Sequence, residues 1–411
     1  MMHTHVKLAR LFLLLLLIII IILSGCMTVQ KQDSYEIHQS LQNMIDTRYA
    51  TFSESYDVPP HLGILLHLHT PTGDYTVQSG FLGKEYSADT HYRIASVTKT
   101  FTAAAIMLLD QQGLLDIYDT VTSSIPGSKD PYLPDTDDFA IPYKDRITIK
   151  DLLSHRAGVF DVFNDPIPSE SDEPYAGMNY IGYIQDTEND EPHHYSLSEL
   201  AAVIAKDHLT YGEPGTLYHY SDSGYMLLPV IIERVSGIPY DQFLSEHFFV
   251  PMGLHDTTAV FEPNDTLLPE PYFEGYSRWD AEYFNTTEDN MSSNIGAGNI
   301  ISTPKDMASW MRLLLSGQSP LKSSQITLMT EIPEGNNAYA LGLSKTSVGI
   351  GHSGAHPGYL NFVVYDETSD VSMVVVMPFI DYNEGNMDHV SAASQMMIEI
   401  METAVRIYSE M

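Results

Sequence analysis

The chain has 411 residues, a formal net charge of -34 at neutral pH, and hydrophobic residues at 44% of its positions. Such an acidic surface repels phosphate backbones, which excludes nucleic-acid binding. The hydrophobic content is typical of a globular protein. Because one hydrophobic core usually serves roughly 250–300 residues, we expect two lobes.

The N-terminus has the pattern of a secretory signal. Lys7 and Arg10 precede the unbroken apolar run Leu11–Leu23, which is shorter than the roughly 20 residues of a spanning helix. The run ends in Leu-Ser-Gly-Cys26, which resembles the bacterial lipobox. We therefore expect residues 1–25 to be a lipoprotein signal peptide and Cys26 to be lipidated. The protein would then be exported and anchored to a bacterial cell membrane, with an uncleaved anchor as the alternative.

Cys26 is the only cysteine, so the mature chain has no internal disulfide and no cysteine metal site. The paired histidines also lack a third ligand at any motif spacing, and we expect neither a metal nor a cofactor.

The predicted elements begin after a tether at 26–33. Helical spacing covers 34–50, two strands flank a turn between His61 and Gly83, and an alanine-rich helix runs from Thr98 to Gln112. Further helices are predicted at 198–207, 223–236, 303–316 and 389–408, and strands at 339–350, 360–366 and 371–379. The acidic segment 157–205, which has no Lys or Arg, is predicted to be a long surface loop.

Strands thus lie at both ends of the chain and helices in the middle. This order predicts an α+β fold in which one antiparallel sheet is flanked by the terminal helices. We assign a sheet lobe to residues 34–112 and 335–411 and a mostly helical lobe to 113–334.

Ser96 and Lys99 open the alanine-rich helix. Residues three apart on a helix share a face, so this spacing places a hydroxyl near an amine that can activate it. A helix N-terminus also offers backbone N–H groups to a developing oxyanion. Two other Ser-x-x-Lys matches, at Ser302 and Ser319, contain proline and open no long apolar helix. Taken alone, the Ser96 motif equally fits a helix cap followed by a solvated lysine.

Two later motifs add candidate residues. Tyr220 and Asp222 are two apart in an extended segment and can face one cleft, although a buried tyrosine and a helix cap give the same pattern. His352, Ser353 and Gly354 precede a strand, where glycine allows close approach of a substrate; a glycine-rich turn is the alternative.

Together, in this order, these motifs resemble the serine beta-lactamase and penicillin-binding-protein superfamily, on its class C and DD-peptidase side. The resemblance runs from about residue 35 to 408, nearly the whole mature chain, and we assign residues 34–411 to one serine hydrolase domain. Its phrases are Arg93-Ile-Ala-Ser-Val-Thr-Lys99, Ile147-Thr-Ile-Lys-Asp-Leu-Leu-Ser-His-Arg-Ala-Gly158, Tyr220-Ser-Asp222, Ile301-Ser-Thr-Pro-Lys-Asp306 and Gly351-His-Ser-Gly-Ala-His-Pro-Gly358. It implies a beta-lactamase/transpeptidase-like fold with the active site between the two lobes.

The resemblance also implies roles for these residues. Ser96 matches the acylated nucleophile, Lys99 its activating partner and Tyr220 the residue that protonates the leaving group. Asp222, His352, Ser353 and Gly354 match substrate-binding positions. The backbone N–H groups of Ser96 and Ala355 match an oxyanion hole.

Two positions depart from the family pattern. Asp222 stands where many relatives have asparagine, and an ionised carboxylate only accepts hydrogen bonds. It is expected to hold Lys99 protonated, to shift base duty toward Tyr220 and to disfavour penicillin-type amides. His352 stands where many relatives have lysine. Because histidine is only partly charged near neutral pH, we expect a substrate carboxylate to be held less firmly, and an efficient beta-lactamase is not the favoured activity within the family.

The resemblance implies an extracytoplasmic serine hydrolase that acts through a Ser96 acyl-enzyme. Its first expected activity is D-Ala-D-Ala carboxypeptidase-like, on cell-wall peptides. The alternatives are an esterase, a D-amino-acid amidase or aminopeptidase, and a class C-like beta-lactamase. An alternative of another class is an inactive lipoprotein that binds peptidoglycan or a partner protein.

Overall fold

The computed structural model describes residues 33–187, 192–279, 282–336, 338–382 and 387–410. The predicted signal peptide, the tether up to residue 32 and Cys26 lie outside these ranges. Within them, no helix has the length and apolar character needed to cross a membrane.

The centre of the fold is a six-stranded antiparallel sheet built from both ends of the chain, as the sequence predicts. Its spatial order is β2-β1-β11-β10-β9-β8. The strands are β1 (Gly63–Thr70), β2 (Gly73–Gly80), β8 (Ser344–Lys345), β9 (Ile350–His356), β10 (Tyr359–Asp366) and β11 (Val371–Met377).

The strand predicted at 339–350 is wrong in its bounds. The chain turns between Thr346 and Gly349, whose backbones are joined by a 2.8 Å hydrogen bond, so β8 is short and β9 begins only at Ile350. Consequently β8 pairs only with the first two residues of β9.

The sheet lies between two layers of helices. On one face, the first helix, α1 (33–56), and the last, α10 (Met387–Glu410), share an apolar cluster with the strands, to which Leu41 and Ile400 contribute. On the other face lie α2 (Thr98–Gln111) and α8 (Pro304–Leu315). Phe101 of α2 stacks on Trp310 of α8 at 3.9 Å between ring centroids. The predicted helix-flanked sheet is therefore confirmed.

In the middle of the chain most of the regular elements are helices. Its helices are α3 (Ile149–Leu153), α4 (Tyr180–Thr187), α5 (Leu197–Lys206), α6 (Asp222–Ser236), α7 (Tyr240–Leu244) and α9 (Ser323–Thr330). α6 packs against both α2 and α3, which brings Tyr220 and Asp222 beside the start of α2.

Two small three-stranded sheets were not predicted from the sequence. One joins β3 (Tyr92–Arg93), β7 (Ile300–Ser302) and β4 (Thr258–Ala259); the other joins β12 (Phe379–Asp381), β5 (Tyr276–Trp279) and β6 (Glu282–Asn285). Strands of two to four residues are too short to show an alternating pattern.

The sequence predicts one long surface loop over the acidic segment 157–205, but α4 interrupts the described part of this segment. It contains α4 and most of α5, and its tyrosines Tyr175, Tyr180 and Tyr195 are buried. The Tyr180 hydroxyl donates a 2.7 Å hydrogen bond to Glu199 at the start of α5, which holds the segment against the helical core.

Candidate active site

Ser96 lies in a tight turn, Ala95–Val97, that leads from β3 into α2. Ala95 has a φ of 51°, a backbone conformation that costs a residue with a side chain of order 1–3 kcal/mol and that clusters at functional sites. The turn presents Ser96 half-buried while its two neighbours are fully buried.

β9 lies directly against this turn because Gly354 has no side chain. A Cβ atom at this position would lie 2.2 Å from the Ile94 carbonyl oxygen. The Asn361 amide joins the two segments, since its Nδ2 donates to the carbonyls of Ile94 and Gly354 at 3.2 Å each. Ser353 is half-buried and Ala355 is exposed. Because β8 pairs only at Ile350 and Gly351, the rest of this β9 edge has no strand partner among the described residues.

The Lys99 amine has three polar neighbours. Its Nζ donates to Ser96 Oγ at 3.0 Å and to the Ala297 carbonyl at 2.8 Å, and it lies 2.6 Å from Asp222 Oδ1. The side chain is completely buried. Burial lowers the pKa of the Lys99 ammonium below its ordinary value, although the Asp222 carboxylate opposes that shift.

Tyr220 is the second group that reaches the nucleophile. Its phenol lies close enough to Ser96 for that hydroxyl to oppose the rise in the phenol's pKa, and its ring lies 5.0 Å from Lys99 Nζ. The His155 ring packs on it at 4.1 Å, and the Ser221 N–H donates to His155 Nδ1 at 3.1 Å, which fixes the segment that carries the tyrosine. Burial, with the Asp222 charge, raises the pKa of Tyr220 well above its ordinary value, so the phenol keeps its proton.

These pKa directions differ from the sequence-based expectation for Asp222. The carboxylate does contact Lys99, as expected. However, burial outweighs it and lowers the lysine pKa, while the tyrosine pKa rises. Lys99 is thus better suited than Tyr220 to accept the Ser96 proton.

A second carboxylate, Asp161, stands behind Asp222. The Asp222 N–H donates to Asp161 Oδ2 at 3.0 Å, and Asn164 Nδ2 bridges Asp161 Oδ2 at 2.9 Å and Asp222 Oδ2 at 3.0 Å. Asp161 is buried, and that burial, together with the Asp222 charge, raises its pKa to about 6.

His352 does not present a free nitrogen to the cleft. Its Nδ1 lies 2.5 Å from the Ser353 carbonyl and its Nε2 lies 3.0 Å from the Tyr339 hydroxyl. The residue is buried, and burial, with the nearby Lys99 charge, lowers its pKa to about 4. The imidazole is therefore neutral at pH 7 and is already engaged by protein groups.

The structure brings the predicted residues into one site between the sheet and the helical part of the chain. Five further groups at this site were not predicted from the sequence: Asp161, Asn164, His155, Tyr339 and the carbonyl of Ala297. Asp161 follows the family-like phrase ending at Gly158 by three residues, which was a usable signal; Tyr339 had none. Among the described residues, no group of three or more histidine, cysteine or acidic side chains could hold a metal ion.

Comparisons with known proteins agree with this arrangement. A family model described as "Beta-lactamase" matches residues 71–383. The crystal structure of a D-stereospecific amidohydrolase from Streptomyces is similar with a TM-score of 0.65 and 25% identity, covering 83% of this chain and 94% of that one. D-amino acid amidase from Ochrobactrum anthropi SV3 is similar with a TM-score of 0.66 and 22% identity, covering 91% and 97%.

A protein of Salmonella paratyphi B named "Putative D-alanyl-D-alanine carboxypeptidase" is 28% identical over 251 residues, or 56% of this chain and 52% of the relative. The chain thus spans about half the length of that curated relative. The family match covers well over half of the chain and includes Ser96, Lys99, Tyr220 and the β9 motif. The chain belongs to the beta-lactamase family and is a serine hydrolase of that superfamily.

Proposed function

We propose that the protein hydrolyses amide bonds of D-configured substrates through an acyl-enzyme on Ser96. The observation that carries the acyl-enzyme is the 3.0 Å hydrogen bond from Lys99 Nζ to Ser96 Oγ, with the Tyr220 phenol beside the same hydroxyl. The D configuration is proposed from the names of the Streptomyces D-stereospecific amidohydrolase and the Salmonella relative. A serine needs a nearby base to become a nucleophile, and a neutral phenol can return a proton to the leaving amine.

The reaction has two steps. Ser96 Oγ gives its proton to Lys99 and forms a bond to the substrate carbonyl carbon; the C–N bond then breaks as the leaving nitrogen takes a proton from Tyr220, and the Lys99 ammonium replaces that proton. In the second step a water molecule gives a proton to the Lys99 amine and attacks the ester carbonyl carbon; the bond to Ser96 Oγ breaks, Ser96 Oγ takes the proton back, and the acid is released. The backbone N–H groups of Ser96 and Ala355 stabilise the oxyanion in both steps.

We favour amides of D-amino acids over the carboxypeptidase activity that the sequence put first. A carboxypeptidase substrate ends in a carboxylate, which a positive charge in the site holds most firmly. His352, which occupies the family's cationic position, is neutral at pH 7 and uses both ring nitrogens within the protein. Arg156 is held by Asn336 and by the Gly215 carbonyl. The Salmonella relative's name supports the carboxypeptidase as the second candidate.

A substrate panel tests this choice. The full chain, in detergent, is incubated at pH 7.5 with D-phenylalanine amide, L-phenylalanine amide, a diacetylated peptide ending in D-Ala-D-Ala, and a penicillin, beside Ser96→Ala. We expect turnover of the D-amide, little of the L-amide and slow reaction with the other two. Release of D-alanine as the main reaction would establish the carboxypeptidase instead. Absence of any Ser96-dependent reaction would favour the binding lipoprotein.

We further propose that the protein is exported and lipid-anchored through Cys26, on the basis of the apolar run and the lipobox-like residues before it. The test is metabolic labelling with an alkyne fatty acid in a bacterial host. The wild-type chain should take up the label and stay with the membrane, and Cys26→Ala should do neither. Equal labelling of the two would contradict the proposal.

A further inference from the structure

Asp222 has acceptor capacity that the protein does not use. Its Oδ1 lies against Lys99 Nζ at 2.6 Å and its Oδ2 accepts from Asn164 at 3.0 Å. An ionised carboxylate offers about four lone-pair sites, so two are left over. The side chain is 17% exposed, and Lys99 Nζ contacts both its Oδ1 and Ser96 Oγ.

The catalytic site also carries at least one uncompensated negative charge, even when Lys99 is protonated. Asp161 and Asp222 face at most one cation among the described residues of the site, Lys99, because His352 and His155 both have pKa values lowered by burial and are neutral at pH 7. The buried phenols of Tyr220 and Tyr339 stay protonated, since burial raises their pKa values. Asp161 has a pKa of about 6 and is therefore ionised at pH 7. A buried charge without a partner is costly and is stabilised by an arriving opposite charge.

We propose that Asp222 determines substrate specificity by accepting hydrogen bonds from the free α-ammonium group of the acyl donor. This inference rests on the proposed function and names the substrate class more narrowly: α-amino acid amides or peptides with an unblocked amine. An asparagine here would donate to a substrate carbonyl, whereas the carboxylate requires a donor from the substrate. The α-ammonium is one carbon away from the carbonyl that Ser96 attacks, so one substrate can engage both residues.

Asp161 acts as a positioning residue for this contact. Its carboxylate accepts from the Asp222 N–H at the first residue of α6 and shares Asn164 with the Asp222 side chain. These contacts fix the side-chain conformation of Asp222. The Asp161 carboxylate also adds a negative charge that Lys99 does not neutralise.

The test compares D-phenylalanine amide with N-acetyl-D-phenylalanine amide at pH 7.0, where most of the free amine is protonated. The wild-type enzyme should prefer the free amine. In Asp222→Asn this preference, as a ratio of kcat/KM values, should fall by about 10- to 100-fold, the size expected for one charge-assisted hydrogen bond. A ratio that stays at the wild-type value, or a wild-type enzyme that prefers the acetylated substrate, overturns the inference.

Because Asp222 also contacts Lys99, the substitution could abolish turnover of both substrates. Binding is therefore measured by calorimetry in Ser96→Ala and in Ser96→Ala combined with Asp222→Asn. The second variant should bind the free amine at least tenfold more weakly and the acetylated ligand equally well; an equal loss for both, or no loss for either, overturns the inference. If the wild-type enzyme is modified at Ser96 by a fluorophosphonate yet prefers blocked amines, only this inference fails. If no Ser96 adduct forms, the proposed function fails.

Discussion

Lys99 and Asp222 form a pair that serves both catalysis and stability. Lys99 is fully buried and contacts the nucleophile, the Ala297 carbonyl and the carboxylate. Each member neutralises the charge of the other in a largely buried environment. Removing one member therefore has two separable consequences.

We predict that Lys99→Met lowers kcat/KM by about 100- to 10 000-fold, because Ser96 loses its proton acceptor. The same change leaves Asp222 largely buried without its cation, which costs about 3–5 kcal/mol of unfolding free energy. Adding Asp222→Asn should restore most of the stability in urea denaturation but none of the activity. Recovery of activity in the double variant would show that Lys99 only neutralises the carboxylate.

Asp161 makes stability depend on pH. Burial, together with Asp222, raises its pKa from 3.8 to about 6. A carboxyl whose pKa is higher in the folded state stabilises the fold at low pH and loses that contribution as the pH rises through 6; the loss amounts to about 3 kcal/mol. Between pH 4 and 7, the unfolding free energy of Asp161→Asn should therefore rise by about this amount relative to wild type. The exposed control Asp138→Asn should show no such change, and parallel curves for Asp161→Asn would contradict the assignment.

Among the elements, β9 and the Ser96 turn depend on each other. Gly354 lets the strand touch the Ile94 carbonyl, and the Asn361 amide ties the two segments together. At the far end of β9, His356 Nε2 lies 2.6 Å from Asp289 Oδ2. Arg93, just before the turn, donates to the carbonyls of Thr287 and Asp289. The loop at 287–289 thus contacts both β9, through His356, and the residue before the Ser96 turn, Arg93, and it fixes these two segments relative to each other.

We predict that Gly354→Ala displaces β9 from the nucleophile and lowers kcat/KM by at least tenfold, because the new Cβ would lie 2.2 Å from a backbone oxygen. Gly224→Ala is a matched control in the first turn of α6, where the nearest atom is 3.7 Å from the added Cβ. It should retain activity. Equal activities of the two variants would show that the close approach of β9 is not required.

The sequence predicted these elements unequally well. The long apolar helix after Ser96, the hairpins and the last helix have strong periodicity, and they were predicted nearly to their bounds, whereas α1 ends at residue 56, six residues beyond its prediction. The shortest strands have no such periodicity, and neither does the turn between Thr346 and Gly349, so these elements were not predicted. The motif residues were found because their types and order are distinctive. Asp161 and Tyr339 were not found. Asp161 is one of many acids in its segment and Tyr339 is one of 26 tyrosines, so only their positions in the folded structure distinguish them.

At the scale of the whole molecule, the net charge of -34 acts on every charged substrate. An acidic surface attracts cations and repels anions, and salt screens both effects over roughly 10 Å at 0.1 M. This field acts in the same direction as the surplus negative charge in the site, and both favour amines over carboxylates.

We therefore predict that the KM for D-phenylalanine amide rises several-fold between 10 and 300 mM sodium chloride at pH 7.0, as screening weakens the attraction. The neutral ester N-acetyl-D-phenylalanine methyl ester serves as the matched substrate and should show little change. If the KM values of both substrates change alike, salt acts on the protein itself, and the negative charge of the protein does not attract the substrate measurably.

The nucleophile is tested most directly by intact-mass and peptide mass spectrometry of the full chain after treatment with a fluorophosphonate and, separately, a fluorescent penicillin. The account predicts one covalent fluorophosphonate adduct on Ser96, its absence in Ser96→Ala, and strong loss of labelling in Lys99→Met. A penicillin adduct, if formed, should map to the same serine. An adduct on another residue would contradict the assignment of Ser96 as the nucleophile. No adduct with either reagent, on folded protein, would contradict it as well and would favour a binding protein.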